Sequence, residues 1–129
     1  MNTPADLKYS KTDEWVKIEG NVATIGISDF AQSQLSDIVY VEFMKDVDDT
    51  CAKGASVATV ESVKAAAEVA SPVSGKILEV NESVSDSPEL LNTDPYIGAW
   101  LVKLEITDAS EVDTLMDSAA YDKYCEERH

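Results

Sequence analysis

Apolar and polar positions near the start of the chain follow a pattern that predicts paired strands. In WVKIEGNVATIGI, Trp15, Val16 and Ile18 lead into Glu19-Gly20-Asn21, and Val22, Thr24 and Ile25 then resume the β-rich text. Two such runs around a Gly-Asn pair predict a hairpin, because Gly and Asn tolerate the left-handed backbone of a tight turn. In SDFAQSQLSDI the period becomes helical. Phe30, Ala31, Gln34 and Leu35 share a face, and Ser28 or Asp29 is a suitable cap. IVYVEFM returns to a period of two, with Ile38, Tyr40 and Glu42 on one side and Val39, Val41 and Phe43 on the other.

DVDDTCAKGAS is polar and predicts a loop turning at Lys53-Gly54. Two β-branched runs follow, SVATVESVK and AEVASPVSGKILEVN, separated by a few residues around Lys64; Ser71-Pro72 and Ser74-Gly75 punctuate the second. SVSDSPELLNTDPY is turn-rich, with room for one helical turn after Pro88, and WLVKLEIT predicts a last strand from Trp100 to Thr107. Beyond it the pattern turns helical. Asp108 and Glu111 resemble a capping pair, Val112, Leu115 and Met116 fall on one face, and Ala120, Tyr121, Tyr124 and Cys125 form a second apolar stripe. Both stripes read as packing surfaces rather than a cofactor box. GNVATIGIS and GASVATVES share Val-Ala-Thr, a hint of two similar hairpin halves resting on three residues. Many short strands followed by helices predict a mainly β protein, a β-sandwich or flattened barrel with peripheral helices.

Composition narrows the chemistry. A chain of 129 residues with 44% apolar content suits one domain with a true core. The single histidine, His129, ends the chain and is expected to fray, which removes His-ligated metal sites and serine–histidine nucleophiles from consideration. A formal charge of −15 repels phosphates and anionic lipid, so neither nucleic acid nor a membrane surface is an expected partner. The charge serves solubility or steering towards basic partner faces. Cys51 and Cys125 form no C-x-x-C pair and are expected to be reduced thiols. MNTPADLKYSKTDEW carries no signal- or transit-peptide pattern, and no apolar stretch approaches membrane-spanning length, so a soluble cytoplasmic protein is expected.

Lys64 stands between the run ending in Val60-Glu61-Ser62-Val63 and the run restarting at Glu68-Val69. If both are strands, it projects from a turn tip among Ala65, Ala66 and Ala67. A lysine modified by another enzyme needs such exposure and a rigid platform behind it. An ordinary solvent lysine has the same appearance, and alanine-rich text also forms helical turns, so spacing alone leaves the role of Lys64 open.

ESVKAAAEVASPVSG resembles the lipoyl-attachment hairpin of the glycine cleavage system H protein family. LKYSKTDEWVK, VATIGISDFAQSQLSDIVYVE, SVSDSPELLNTDPY, AWLVKLE and LMDSAAYDKYCEE are similar to further family segments in family order, from about Leu7 to Glu127. The resemblance implies a lipoyl-domain β-sandwich of two antiparallel sheets with short peripheral and C-terminal helices. It would be a single domain over 1–129, with a lipoyl-binding core about 22–107 and a C-terminal helical segment about 108–127. It implies lipoic acid attached covalently, by an amide, to Lys64. Biotin is disfavoured because Val63 and Ala65, not methionines, flank the lysine. The implied role is a non-catalytic carrier, taking the aminomethyl group of glycine from glycine decarboxylase (P protein) to aminomethyltransferase (T protein). Dihydrolipoyl dehydrogenase (L protein) would reoxidise it, lipoylating enzymes would modify it, and a monomer would suit visits to several enzymes.

Glu14 and Glu68 match family positions around a cleft that holds the loaded arm, and Glu61, within the attachment motif, is expected to serve recognition by the lipoylating enzyme. Three features depart from the family pattern: Asp13 and Gln34 stand where histidine is frequent, and FMKDVDD replaces a proline-containing turn. Two other functions fit a lysine motif. One is an H-like relay handing lipoyl groups to other proteins; Glu14 and the long C-terminal block favour the glycine cleavage carrier instead. The other is a small enzyme with Lys64 as a Schiff-base nucleophile, which needs a desolvating pocket that a turn tip flanked by alanines does not offer.

Overall fold

The computed structural model of the chain describes residues 2–128; His129 lies outside the described residues. A two-residue strand, β1 (Lys8–Tyr9), pairs antiparallel with β2 (Glu14–Glu19), which forms the expected hairpin with β3 (Val22–Ile27). Gly20 takes φ +65° in the turn between them, where a residue with a Cβ would be strained. Helix α1 (Asp29–Leu35) starts at Ser28, whose Oγ accepts from the Ala31 N–H at 3.2 Å; of the two candidate caps, the serine is used. Next come β4 (Ile38–Phe43), β5 (Thr50–Cys51), β6 (Ser56–Ser62), β7 (Ala66–Ala70) and β8 (Gly75–Val80). The short helices α2 (Ser83–Asp86) and α3 (Leu90–Thr93) precede β9 (Val102–Ile106), a 3₁₀ segment Ala109–Thr114 and helix α4 (Ser118–Glu127).

All strand pairs are antiparallel and form two sheets, β1-β2-β3-β9-β8-β5 and β4-β6-β7. Their facing sides bury Val16, Ile25, Val57, Val60, Val69, Ile77, Leu101 and Leu104 in one core. Each such side chain contributes about 1.5–3 kcal/mol on removal from water. A second cluster, with Tyr9, Trp15, Phe30, Tyr121 and Cys125, seats α4 against β1, with the Tyr9 and Tyr121 rings stacked at 4.7 Å. Cys51 and Cys125 are buried free thiols, as expected. The two Val-Ala-Thr stretches occupy different hairpin positions, β3 closing the β2–β3 hairpin and β6 opening the β6–β7 one. β3 and β6 are each interior strands, one per sheet, and each follows a turn glycine of positive φ, Gly20 or Gly54.

Four local expectations change. The alternation across Ile38–Phe43 breaks at a bulge between Ile38 and Tyr40, so Ile38 and Val41 are buried while Val39 (55%) and Tyr40 (47%) face solvent. One extra residue inverts a period of two. The run from Ala67 to Asn81 divides at Pro72, which has no N–H for a ladder; β7 ends in one sheet and β8 begins in the other. A helical turn precedes Pro88 as well as following it. Asp108 caps the 3₁₀ segment through the Ser110 N–H (3.1 Å), but Glu111 does not reciprocate. Its carboxylate accepts from the Ser74 N–H (2.7 Å) and Ser74 Oγ (2.9 Å), and α4 has its own cap, Asp117.

Gly26 faces Trp15 across the β2–β3 ladder, and a Cβ there would stand 2.6 Å from the indole. The ring cannot swing freely, because its Nε1–H donates to the Pro95 carbonyl at 2.9 Å. Gly26→Ala is expected to cost about 2 kcal/mol through overpacking. Urea unfolding measures it, and an unchanged midpoint would show that the indole yields.

Candidate functional site

The β6–β7 hairpin closes over Ser62–Ala65, and its serine ties the turn together. The Ser62 N–H donates to the Ala65 carbonyl (2.7 Å), and Ser62 Oγ accepts from the N–H groups of Lys64 (3.3 Å) and Ala65 (3.0 Å). The Val63 N–H donates to the Asp37 carbonyl at 3.1 Å and moors the tip to the chain entering β4. Lys64 is exposed beside Val63 (69%), with Ala65 and Ala66 exposed beyond. It enters none of the ion pairs among the described residues. The alanine-rich text is strand, not helix. A primary amine on a backbone held by its own hydrogen bonds, with only methyl groups beside it, fits covalent attachment of an acyl arm.

Behind the tip lies a cleft of about 190 Å³ between α1 and the β6–β7 hairpin. Ile27, Val60 and Val69 give it an apolar lining, Ala31 and Leu35 of α1 form one wall, and Glu14, Gln34 and Glu68 supply polar groups. Glu14 and Glu68, far apart in sequence, thus meet at one cavity. Glu68 is exposed on β7 opposite Thr59. Glu61 lies elsewhere, exposed on β6 between Tyr40 and Ala66, close to the hairpin tip.

Glu14 is only 2% exposed. Its Oε1 accepts from Ser10 Oγ (2.6 Å) and Thr12 Oγ1 (2.5 Å), and Oε2 accepts from the Ala70 N–H (3.4 Å). Burial pushes its carboxyl up to about 7, opposed by the two hydroxyls and the Ala70 N–H and reinforced slightly by Asp13. A carboxyl poised at neutrality in an apolar cleft is a ready acceptor for a cationic amine, whose charge would favour the ionised form.

Asp13 bonds to α4: its carboxylate accepts from the Tyr121 hydroxyl (2.8 Å) and from Arg128 (2.6 and 3.1 Å). Gln34 lines the cleft from α1. Sequence reasoning did not single out Ser10 and Thr12, although their spacing ahead of Glu14 (S-x-T-x-E) places two hydroxyls within one loop of the acid. Arg128 carried no signal, because its partner is 115 positions away.

The chain's relatives point in the same direction. The family model described as "Glycine cleavage H-protein" matches residues 7–128. Glycine cleavage system H protein 2, mitochondrial, of Arabidopsis thaliana is 53% identical over 122 residues, covering 95% of this chain and 78% of that protein. The glycine cleavage system H protein of Staphylococcus saprophyticus is 51% identical over 121 residues, 94% of this chain and 95% of that one. The crystal structure of a glycine cleavage system H protein from Mycobacterium marinum superposes with a TM-score of 0.84 at 31% identity, covering 97% of this chain and 98% of that one.

Proposed function

This chain belongs to the glycine cleavage H-protein family, and from that premise we propose that Lys64 is the residue bearing its lipoyl arm. Family members carry lipoic acid covalently on a lysine, and the protein is a lipoyl carrier that works with other components of the glycine cleavage system without itself being a catalyst. The observation that supports Lys64 is its place at an exposed, hydrogen-bonded hairpin tip above a cleft with a buried carboxyl.

The lipoyl group supplies a strained disulfide whose sulfurs exchange with thiols and accept the aminomethyl unit. The chain's own residues hold and shelter the arm. Ser62 and the Val63 N–H hold the base of the arm still. Ala67 to Val69 lie three to five residues beyond Lys64, roughly 10–16 Å of strand, and a modified lysine reaches on the order of 10 Å or more. Glu14 and Glu68 would therefore lie within reach of a loaded arm and would hold its ammonium by charge-assisted hydrogen bonds, while the apolar lining would exclude water. Glu61, exposed near the tip, would be read by the lipoylating enzymes.

The partners in this reading are glycine decarboxylase, aminomethyltransferase and dihydrolipoyl dehydrogenase, met in turn by a monomeric carrier in the cytoplasm. The carrier is a single domain over 1–129, its lipoyl-binding core about 22–107 and its C-terminal helical segment about 108–127. Among the described residues, no helix is long and apolar enough to cross a membrane.

Intact-mass spectrometry of protein purified from its native cell, with peptide mapping, is the test. The expected result is a lipoyl-sized increment on Lys64. A biotin-sized increment, or none in lipoate-replete cells, would overturn the assignment.

A further inference from the structure

The end of α4 is tied to Asp13, which lines the cleft, and to the start of α1. Arg128 donates to Asp13 through two nitrogens, Nη2 to Oδ1 at 2.6 Å and Nη1 to Oδ2 at 3.1 Å, and its guanidinium lies over the rings of Phe30 (4.4 Å) and Tyr124 (4.2 Å). The Tyr121 hydroxyl donates to Asp13 Oδ1 and is 2.6 Å from Ser28 Oγ. Because that phenol has one proton and gives it to Asp13, Ser28 must donate to the phenol while its oxygen caps α1. The chain of donors therefore runs Ser28 to Tyr121 to Asp13. Burial raises the phenol well above its ordinary range and keeps it a donor.

Asp13 itself has φ +73°, a left-handed conformation uncommon for a residue with a side chain. Its N–H donates to the Ser10 carbonyl (3.2 Å), and its carbonyl accepts from the Ser28 N–H (2.9 Å). Backbone and side-chain bonds together over-determine this conformation. The reversal at Asp13 turns the chain so that Ser10 Oγ and Thr12 Oγ1 converge on one oxygen of Glu14.

We propose that Asp13, clasped by Arg128 and Tyr121, is a positioning residue for the arm cleft, through which the C-terminal helix sets how Glu14 is seated against α1. The proposal rests on the assignment of Glu14 to the arm cleft. Both carboxylate and guanidinium are partly buried, at 19% and 28% side-chain exposure, so the pair is less screened than an open surface bridge. A merely structural salt bridge would brace α4 and leave the seating of Glu14 unaffected.

The two possibilities differ in sign for Arg128→Ala. The groups around Glu14 are the Ser10 and Thr12 hydroxyls, the Ala70 N–H, Asp13 beside it, and Gln34 and Glu68 along the cleft. Removing Arg128 leaves the Asp13 charge uncompensated, which by electrostatics alone raises the Glu14 titration. Loss of positioning admits water to the carboxyl, and because desolvation outweighs the Ser10 and Thr12 bonds that would be lost with it, the titration falls.

The experiment follows the side-chain carboxyl carbon of Glu14 by NMR through a pH titration of the full, unmodified chain. Arg128→Ala is expected to lower the titration point at least tenfold in proton affinity. Amide exchange at Asp13 and Glu14 should speed up at least tenfold, while exchange at Ile25 in β3 stays unchanged as a control for the fold. Arg128→Lys should recover part of the effect, and Tyr121→Phe should move it in the same direction by less. A Glu14 titration that stays put or rises in Arg128→Ala overturns the clasp. Because the chain is measured without its arm, that failure is separate from a failure to find lipoate on Lys64.

Discussion

Replacing Lys64 by arginine is expected to abolish carrier function while leaving the fold untouched. Arginine keeps the charge, the length and the exposure of the position, but its guanidinium is never deprotonated under these conditions and does not form the amide. The turn depends on the Ser62 side chain and on backbone groups of Val63, Lys64 and Ala65, all retained in the variant. Stability should therefore change by no more than about 0.5 kcal/mol, as for ordinary surface substitutions. Activity should not survive. A tethered arm docks at an effective concentration of roughly millimolar, which free lipoate at micromolar levels cannot match. Glycine–bicarbonate exchange with a matching decarboxylase is the assay. Lipoyl-dependent exchange persisting in Lys64→Arg would mean that a different lysine carries the arm.

The second large effect is a pH dependence of stability set by Glu14. Its folded titration near 7 lies above the ordinary 4.5. Between those values the folded chain holds a proton that the unfolded chain has released, so this group's contribution falls as pH rises through the window and is flat above it. At about 1.4 kcal/mol per unit, the loss is on the order of 3 kcal/mol by pH 8. Glu14→Gln keeps the shape and an acceptor for the two hydroxyls but has no proton to lose. The unmodified variant should match the parent near pH 4.5 and exceed it at pH 8 by up to about that amount. Urea unfolding of both chains across pH 4.5–8 measures the difference, with the remaining carboxylates common to both. Parallel curves would mean that the buried carboxyl ionises normally. An ammonium in the cleft would offset the same penalty, so stabilising Glu14→Gln should remove the advantage of a loaded arm.

Much of the architecture was legible in the sequence because it rests on local rules. Gly20-Asn21 between two β-rich runs determined the first hairpin, and Ser28 ahead of a helical stripe determined the start of α1. The absence of any internal histidine pointed away from much enzyme chemistry, and a lysine between two strand-like runs marked the hairpin tip. The identity of its cargo came from family likeness along the whole chain, since spacing alone could not distinguish Lys64 from any solvent lysine.

What only the tertiary structure decided involves partners distant in sequence. The bulge that turns Val39 and Tyr40 outward exists in the pairing of β4 with β6, not in either strand alone. Family likeness marked Glu14, but its burial comes from the Ala70 N–H, 56 positions on, and the α1 wall that enclose it. Desolvation then makes it titrate near neutrality. Asp13 looked like the loss of a histidine until Arg128 closed over it. Hydrogen-bonding period and turn chemistry act over a few residues and can be read along the chain, whereas burial and the pKa it produces depend on everything that folds around a group.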